Sequence, residues 1–491
     1  MPHSSISSTE IAGESPPMME PYRMRVVEPI RNTNRIQREA LLIKADFNLY
    51  QIDSEYVSID LLTDSGTCAM SGAQMSAMMQ GDESYAGSSS YRRLEAMVHE
   101  TFGFEHVVPT HQGRAAERLL LECLAGPGSI VPSNMHFETT RGNCLSLGID
   151  PVDLPHASFW NFESSEKFKG NMDCEALEEL LIGPDADRIP FVFLTITNNL
   201  CGDQPVSMEN IRRVREIASR YNKPLYLDAC RFAQNAWFIQ TNNEAYRGTP
   251  IKTIVREMFS YADGCIFSAK KDALAQIGGF FATRSLAVAT CAREHLVLYE
   301  GFITYGGMTG RDMEIISVGL AEGLDDDYLR YRMETTAYLF DRLREHAVPV
   351  LSPAGGHAVY LDASRILPHL KAQDNPGQAL AVELYAQSGI RTTRIVLNPS
   401  HGPASGQHIE LLRLALPSRV YSTKHLDFVA ASVASVAGRA LSIRGLSSVS
   451  APRLLSGFLA KYGRKPVPLD EANDQAMEKA LGAHTSSRMA G

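Results

Sequence analysis

Ser268, Lys270 and Lys271 stand together at the end of a short, mostly apolar run from Ala262 to Phe267, and Gly278 and Gly279 follow where the backbone can turn and approach another group closely. A lysine at the end of a buried strand must shed the water around its charge, which is costly unless the amine is paired or reactive. A desolvated amine of lowered pKa can form a Schiff base with an aldehyde cofactor. Taken alone, a Lys-Lys pair is more often a solvated surface loop. Asp228 shifts that balance. It ends Pro224-Leu-Tyr-Leu-Asp228, which reads as a buried strand, and Arg231 follows it. A carboxylate at a strand's C-terminal end can keep a pyridine nitrogen protonated, so that the ring accepts electrons. A buried Asp near an Arg can be no more than an internal salt bridge. Asp228 followed, in the next strand, by Ser268 and the two lysines is a far more specific arrangement.

The surrounding pattern supplies the elements that must hold these groups. Residues 208–221 have helical periodicity, with Ser207 as the N-cap, and precede the strand that ends at Asp228. Strands are expected at 191–197, 225–228 and 265–268, alternating with helices across residues 63–325. That alternation predicts an α/β domain with a mostly parallel sheet covered on both faces. The acidic cluster at residues 325–327 reads as a helix start, followed by a long helix at 328–345 and a strand at 355–362 belonging to a smaller α+β domain. Five segments result: an extension at 1–19, an arm contributing to the small domain at 20–62, the large domain at 63–325, the small domain at 326–470 and a polar tail at 471–491. The Ser- and Pro-rich extension is expected to be disordered and has no apolar core of a signal peptide.

The chain has 491 residues, a net charge of −9 and a pI near 5.9, which argues against a nucleic-acid or anionic-membrane partner. No apolar run approaches the roughly 18 residues that span a bilayer. Its eight cysteines are scattered without CxxC spacing. This predicts reduced thiols in a cytoplasmic protein rather than a disulfide framework or a zinc site.

Several ordered stretches resemble the β-eliminating lyases, tryptophanase and tyrosine phenol-lyase: Ile59-Asp-Leu-Leu-Thr-Asp-Ser-Gly-Thr67, Gly81-Asp-Glu-Ser-Tyr-Ala-Gly87, Pro109-Thr-His-Gln-Gly-Arg114, Ser268-Ala-Lys-Lys-Asp272 and Tyr305-Gly-Gly-Met-Thr-Gly-Arg-Asp-Met313. The resemblance spans residues 20–463. It implies the aspartate-aminotransferase-like architecture of fold-type I pyridoxal-phosphate (PLP) enzymes, with a seven-stranded sheet, and an amino acid as substrate. Lys271 then matches the lysine that carries PLP, and Asp228 the partner of the pyridine nitrogen. Arg231 would lie near the ring's phenolic oxygen, and Phe137 would stack on the ring. Gln112, Gly113, Arg114 and Ser268 match the phosphate cradle; a helix beginning there offers free amides and a positive dipole end. Arg413, with Asn199 and Thr63, matches the pocket for the substrate carboxylate, which favours a bidentate guanidinium. Tyr85 resembles a proton donor supplied by the neighbouring subunit, and Tyr305 would also cross that interface. A homo-oligomer built as a dimer of dimers is therefore expected. Gly66, Glu83 and Gln276 match the positions that hold a monovalent cation such as potassium, with Lys270 close by; the family has an asparagine where Gln276 stands.

The residues that discriminate within the family are different here. Glu138 replaces the threonine or aspartate that follows the stacking Phe. Ile395 aligns with the arginine that binds a phenol oxygen, although a shift of one residue would put Arg394 there. No histidine occurs in residues 454–462, where tryptophanases carry one. Glu138 is accordingly the candidate acid for a different leaving group. The loop at 398–408 is a candidate lid, and its two histidines read as solvated. The expected reaction is α,β-elimination of an L-amino acid, with an aromatic or heteroaryl side chain, to pyruvate and ammonium. A β-replacement synthase or aminotransferase on the same scaffold is the alternative, and a non-catalytic relative is a third.

Overall fold

The computed structural model describes residues 19–399, 402–452 and 456–465. Its centre is a seven-stranded sheet formed by β1 (His106–Thr110), β2 (Ile130–Ser133), β3 (Asp150–Asp153), β4 (Val192–Thr195), β5 (Leu225–Asp228), β6 (Gly264–Ser268) and β7 (Gly279–Thr283), in the order β1-β7-β6-β5-β4-β2-β3. β7 runs antiparallel to β1 and β6, and the other pairs are parallel. Both faces of the sheet are covered, so β5 and β6 are buried at every position and read as nearly continuous apolar runs. The expected strand at 191–197 is shorter than its apolar run, because Ile196 and Thr197 turn away beyond the edge of β4.

Side-chain alternation along these strands builds the site. Leu225, Leu227, Cys265 and Phe267 enter one hydrophobic core, while Tyr226 and Ile266 enter the core on the opposite face with helix Gly113–Leu124. The two-residue period therefore puts Asp228 and Ser268 on the helix Gly113–Leu124 side. The register Thr195–Asp228–Ile266 brings the C-terminal ends of three parallel strands level. In open α/β sheets, ligands bind beyond such ends.

Helix Met208–Arg220 begins where the sequence predicts, with Ser207 accepting a hydrogen bond from the Asn210 amide at 3.1 Å. Helix Asp326–Glu345 begins within the acidic cluster, where the Asp325 carboxylate accepts from the Tyr328 amide at 2.8 Å. Around it lies a second core. The antiparallel strands β8 (Ala358–Asp362), β9 (Thr393–Leu397) and β10 (Ile409–Ala415) form a sheet in the order β9-β10-β8. Leu42, Leu49, Ile59 and Leu61 from the N-terminal arm are buried in this core, and Ile59–Asp60 pairs in parallel with Ile390–Arg391. Burying a side chain of this size contributes about 1.5–3 kcal/mol, enough for four of them to fasten the arm to residues more than 300 positions away.

Residues 1–18 of the expected extension and the whole tail at 471–491 lie outside the described residues, as do Ser400 and His401 of the candidate lid. His408 of that loop hydrogen-bonds to Asn398 at 2.8 Å and Glu410 at 3.0 Å. Among the described residues, no helix is long and apolar enough to cross a membrane.

Candidate active site

A cavity of about 220 Å³ opens beyond the ends of β4, β5 and β6 and is bounded on its other side by β9, β10 and Tyr50 of the N-terminal arm. Thirteen of the residues singled out from the sequence line it: Thr63, Gln112, Gly113, Arg114, Phe137, Glu138, Asn199, Asp228, Arg231, Ser268, Lys270, Lys271 and Arg413. They come from elements that are distant in sequence.

One wall is cationic. Helix Gly113–Leu124 begins against Ser268 so tightly that a Cβ on Gly113 would lie 2.7 Å from the Ser268 Cβ. Glycine is what lets the helix N-terminus, with its unpaired amides, reach the serine hydroxyl. Arg114, Lys270 and Lys271 border the same space. The Lys270 amine is pushed below its ordinary pKa by burial, and further by the charges of Lys271 and Arg114. Gly66, at φ +77°, packs on the Lys270 side chain, where a Cβ would meet Lys270 Cε at 2.4 Å. Uncompensated positive charge at a helix N-terminus is suited to a phosphate dianion.

The floor is acidic. Asp228 is buried and accepts from the Cys230 amide at 3.3 Å. Glu117 lies behind it, one turn into helix Gly113–Leu124. Its carboxyl is pushed up to about 7 by burial and then by the charge of Asp228, although Thr139 donates to it at 3.0 Å. Arg231 is buried and held by Asp64, with Nη2 and Nε at 2.8 and 3.1 Å from the two carboxylate oxygens.

Arg413 on β10 forms the third wall. A strand arginine between apolar neighbours reads by itself as outward-facing, yet this one is buried and points into the cavity. Its Nη1 donates to Asn199 Oδ1 at 3.2 Å and its Nη2 to the Leu62 carbonyl at 3.1 Å, while its buried Nε has no partner among the described residues. Tyr360, opposite Arg413 on β8, donates to the same Asn199 oxygen at 2.6 Å.

The outer wall is apolar and aromatic, with Tyr50 and Phe458 in edge contact at 5.0 Å. The one-residue ambiguity on β9 is resolved by strand parity. Thr393 and Ile395 face the cavity, whereas Arg394 points away, donating to Asn375 at 2.6 Å and lying over the Tyr462 ring. Glu138 is half-buried in the first turn of helix Glu138–Ser146. Burial raises its pKa, against the opposing charges of Arg413 and Arg394.

Five of the expected residues are not in this cavity. Tyr85 is 66% exposed, stacks on Phe302 with ring centroids 5.1 Å apart and meets Tyr305 edge-on at 5.4 Å. Glu83 accepts from the Gly310 amide at 2.8 Å and from Arg311 at 3.1 Å, capping helix Gly310–Glu322. Gly66 lies against the Gln276 backbone, and the Gln276 side chain donates to the Cys68 carbonyl at 3.0 Å. Asp64, Glu117, Tyr50 and Phe458 line the cavity without having been singled out. Asp64 sits in a conspicuous motif, but its partner lies 167 residues away; nothing local distinguishes the other three.

PLP fits this donor set: free amides, Ser268 and the Arg114 and Lys270 charges for its phosphate, Asp228 for its ring nitrogen and the Lys271 amine for its aldehyde. The fold is that of fold-type I PLP enzymes. It is similar to Sphingomonas wittichii serine palmitoyltransferase, with a TM-score of 0.57 and 15% identity, covering 82% of this chain and 96% of that one. Within that class, the β-eliminating lyase pattern matches residues 60–432. The chain is 49% identical to the tryptophanase of Salinibacter ruber, over 90% of this chain and 95% of that protein. It is 45% identical to the tyrosine phenol-lyase of Symbiobacterium thermophilum, over 91% and 98% respectively. The chain belongs to the β-eliminating lyase family and is a PLP-dependent lyase.

Proposed function

We propose that this lyase eliminates an aromatic or heteroaryl group from the β-carbon of an L-amino acid, releasing pyruvate, ammonium and the protonated leaving group. Arg413 carries the proposal. A buried guanidinium with a free Nε, in the cavity that holds Lys271 and Asp228, is made for the substrate carboxylate. Asn199 and Thr63 complete that grip. The Lys271 amine removes the α-proton. PLP, when bound, supplies the electron sink that makes this proton acidic. Asp228 keeps the ring nitrogen protonated, and Arg231 orients the phenolic oxygen. Tyr50, Phe458 and Ile395 offer an apolar surface to an aromatic side chain and exclude water from it. Glu138, with Tyr85 from a neighbouring copy, delivers a proton to the departing group. That copy makes the protein at least a dimer, and we read the assembly as a dimer of dimers. Gly66, Gln276 and Glu83 are assigned to a monovalent cation whose oxygen ligands suit potassium. The relatives named tryptophanase and tyrosine phenol-lyase support aromatic amino acids as the substrate class, while Glu138 and Ile395 argue for a ring substituent that neither name describes.

The test is a panel of ring-substituted tyrosines, tryptophans and S-aryl cysteines, assayed for pyruvate and ammonium. Equimolar release of both without a second substrate is the expected result. A requirement for an added nucleophile would make the protein a β-replacement synthase, and a keto acid formed without ammonium would make it an aminotransferase.

A further inference from the structure

Two of the scattered cysteines meet at one place away from the cavity. Glu122 and Cys123 lie in the last turn of helix Gly113–Leu124, and Cys291 and His295 lie four residues apart on helix Leu286–Tyr299, which packs against it. Residues spaced i, i+4 share a helix face. Cys123 Sγ, Cys291 Sγ and a His295 ring nitrogen fall within 4.8 Å of one another. The Glu122 side chain is nine-tenths buried, and its Oε2 lies 3.5 Å from His295 Nδ1; among the described residues neither atom has a hydrogen bond.

We propose that Cys123, Cys291 and His295 bind a soft divalent cation, zinc first of all, at the seam between these helices, with Glu122 completing the ligand set. Two thiolates, an imidazole and a carboxylate form a tetrahedral zinc set. With Zn–S near 2.3 Å and Zn–N near 2.0–2.1 Å, tetrahedral ligand atoms lie about 3.3–3.8 Å apart, so shifts of about 1 Å bring the Cys123, Cys291 and His295 atoms to that spacing. The surroundings favour a cation. The site is at a helix C-terminus, the negative end of its dipole. Glu122 and Glu294 add negative charge beside Cys123. Arg118, which donates to Glu122 Oε1 at 2.6 Å, is the neighbouring positive charge, and Tyr299 stacks on His295 at 5.9 Å. The sequence conceals this site because its ligands come from two helices and have no CxxC spacing.

Ten helical steps, about 15 Å, separate Cys123 from Gly113 in the phosphate cradle at the other end. The metal therefore staples two helices and leaves elimination unchanged. The test uses the reduced, PLP-loaded full-length protein, titrated with zinc against a chromogenic chelator and with cobalt followed by difference spectroscopy. One metal per chain and a thiolate-to-cobalt charge-transfer band are expected. Zinc should also shield Cys123 and Cys291 from iodoacetamide while Cys174 stays reactive. Cys291→Ser and His295→Gln, at half-buried positions, should each weaken binding by more than the ten- to hundredfold typical of losing an outer-shell partner, with elimination activity at the parent level. Unchanged zinc affinity in Cys291→Ser, cobalt binding without the thiolate band, or a Cys123–Cys291 disulfide recovered under thiol reductant would each overturn the assignment.

Discussion

Asp64 grips Arg231 by two nitrogens, at 2.8 and 3.1 Å, with both side chains buried beneath the cavity. Burial alone would raise the Asp64 pKa, but the Arg231 guanidinium, then His357, hold it well below the usual carboxylate range. A carboxyl depressed in this way stabilises the fold above its unfolded pKa, and that contribution is lost as pH falls. Replacing one partner of a buried pair leaves the other charge uncompensated, at a cost of about 3–5 kcal/mol. Asp64→Asn should therefore lose stability of that order in urea unfolding at neutral pH. A loss below about 1 kcal/mol, the range of exposed pairs, would mean that Arg231 finds its compensation elsewhere.

Glu117 gives the opposite pH dependence. Its carboxyl is pushed up to about 7 in the folded protein, by burial first and the Asp228 charge second, against an ordinary value of 4.5. A raised carboxyl pKa contributes stability that is fully present below about 4.5 and lost as pH rises through about 7. At about 1.4 kcal/mol per pKa unit, the loss is about 3 kcal/mol. Cofactor-free Glu117→Gln should accordingly show a flatter stability profile than the parent between pH 5 and 8 and gain on it at the alkaline end. Parallel profiles would show that Glu117 is charged throughout this range.

What could be read from the sequence follows physical locality. Asp228 and the Ser268–Lys271 run were legible because each ends an apolar strand buried on both faces, and such runs announce themselves in composition. The helix starts at Ser207 and Asp325 were legible because capping is a local hydrogen bond. Arg394 and Ile395 could not be separated, since a slip of one residue exchanges the two faces of a strand. The burial of Arg413 depends on which side of β10 meets Asn199, and that is decided by tertiary packing. The Asp64–Arg231 pair and the Cys123–Cys291–His295 cluster depend on contacts across long stretches of chain, which no local pattern encodes.

Glu138 can be tested by separating its proton from that of Lys271. Burial raises the Glu138 pKa while Arg413 and Arg394 oppose the rise, and a raised pKa is the direction a carboxyl acting as a general acid requires. Glu138→Gln keeps the shape of the side chain and removes the proton. In deuterated water, exchange of the substrate α-proton through Lys271 should continue, while pyruvate release falls by roughly a hundredfold or more. Unchanged pyruvate release would leave Glu138 as a carboxylate that merely occupies the first turn of its helix.

Tyr85 offers a test of shared active sites. It lies outside its own chain's cavity, exposed, stacked on Phe302 and edge-on to Tyr305. If it acts in a neighbouring copy, a chain without Tyr85 still offers a complete Lys271 site to a partner that retains its tyrosine. Tyr85→Phe and Lys271→Ala should each be nearly inactive as pure proteins. When the two are unfolded together and refolded as a mixture, half of the dimers are hybrids with one intact site, so about a quarter of the parent activity should return. Activity that stays at the sum of the two pure variants would place Tyr85 in its own chain's chemistry, or outside the chemistry altogether.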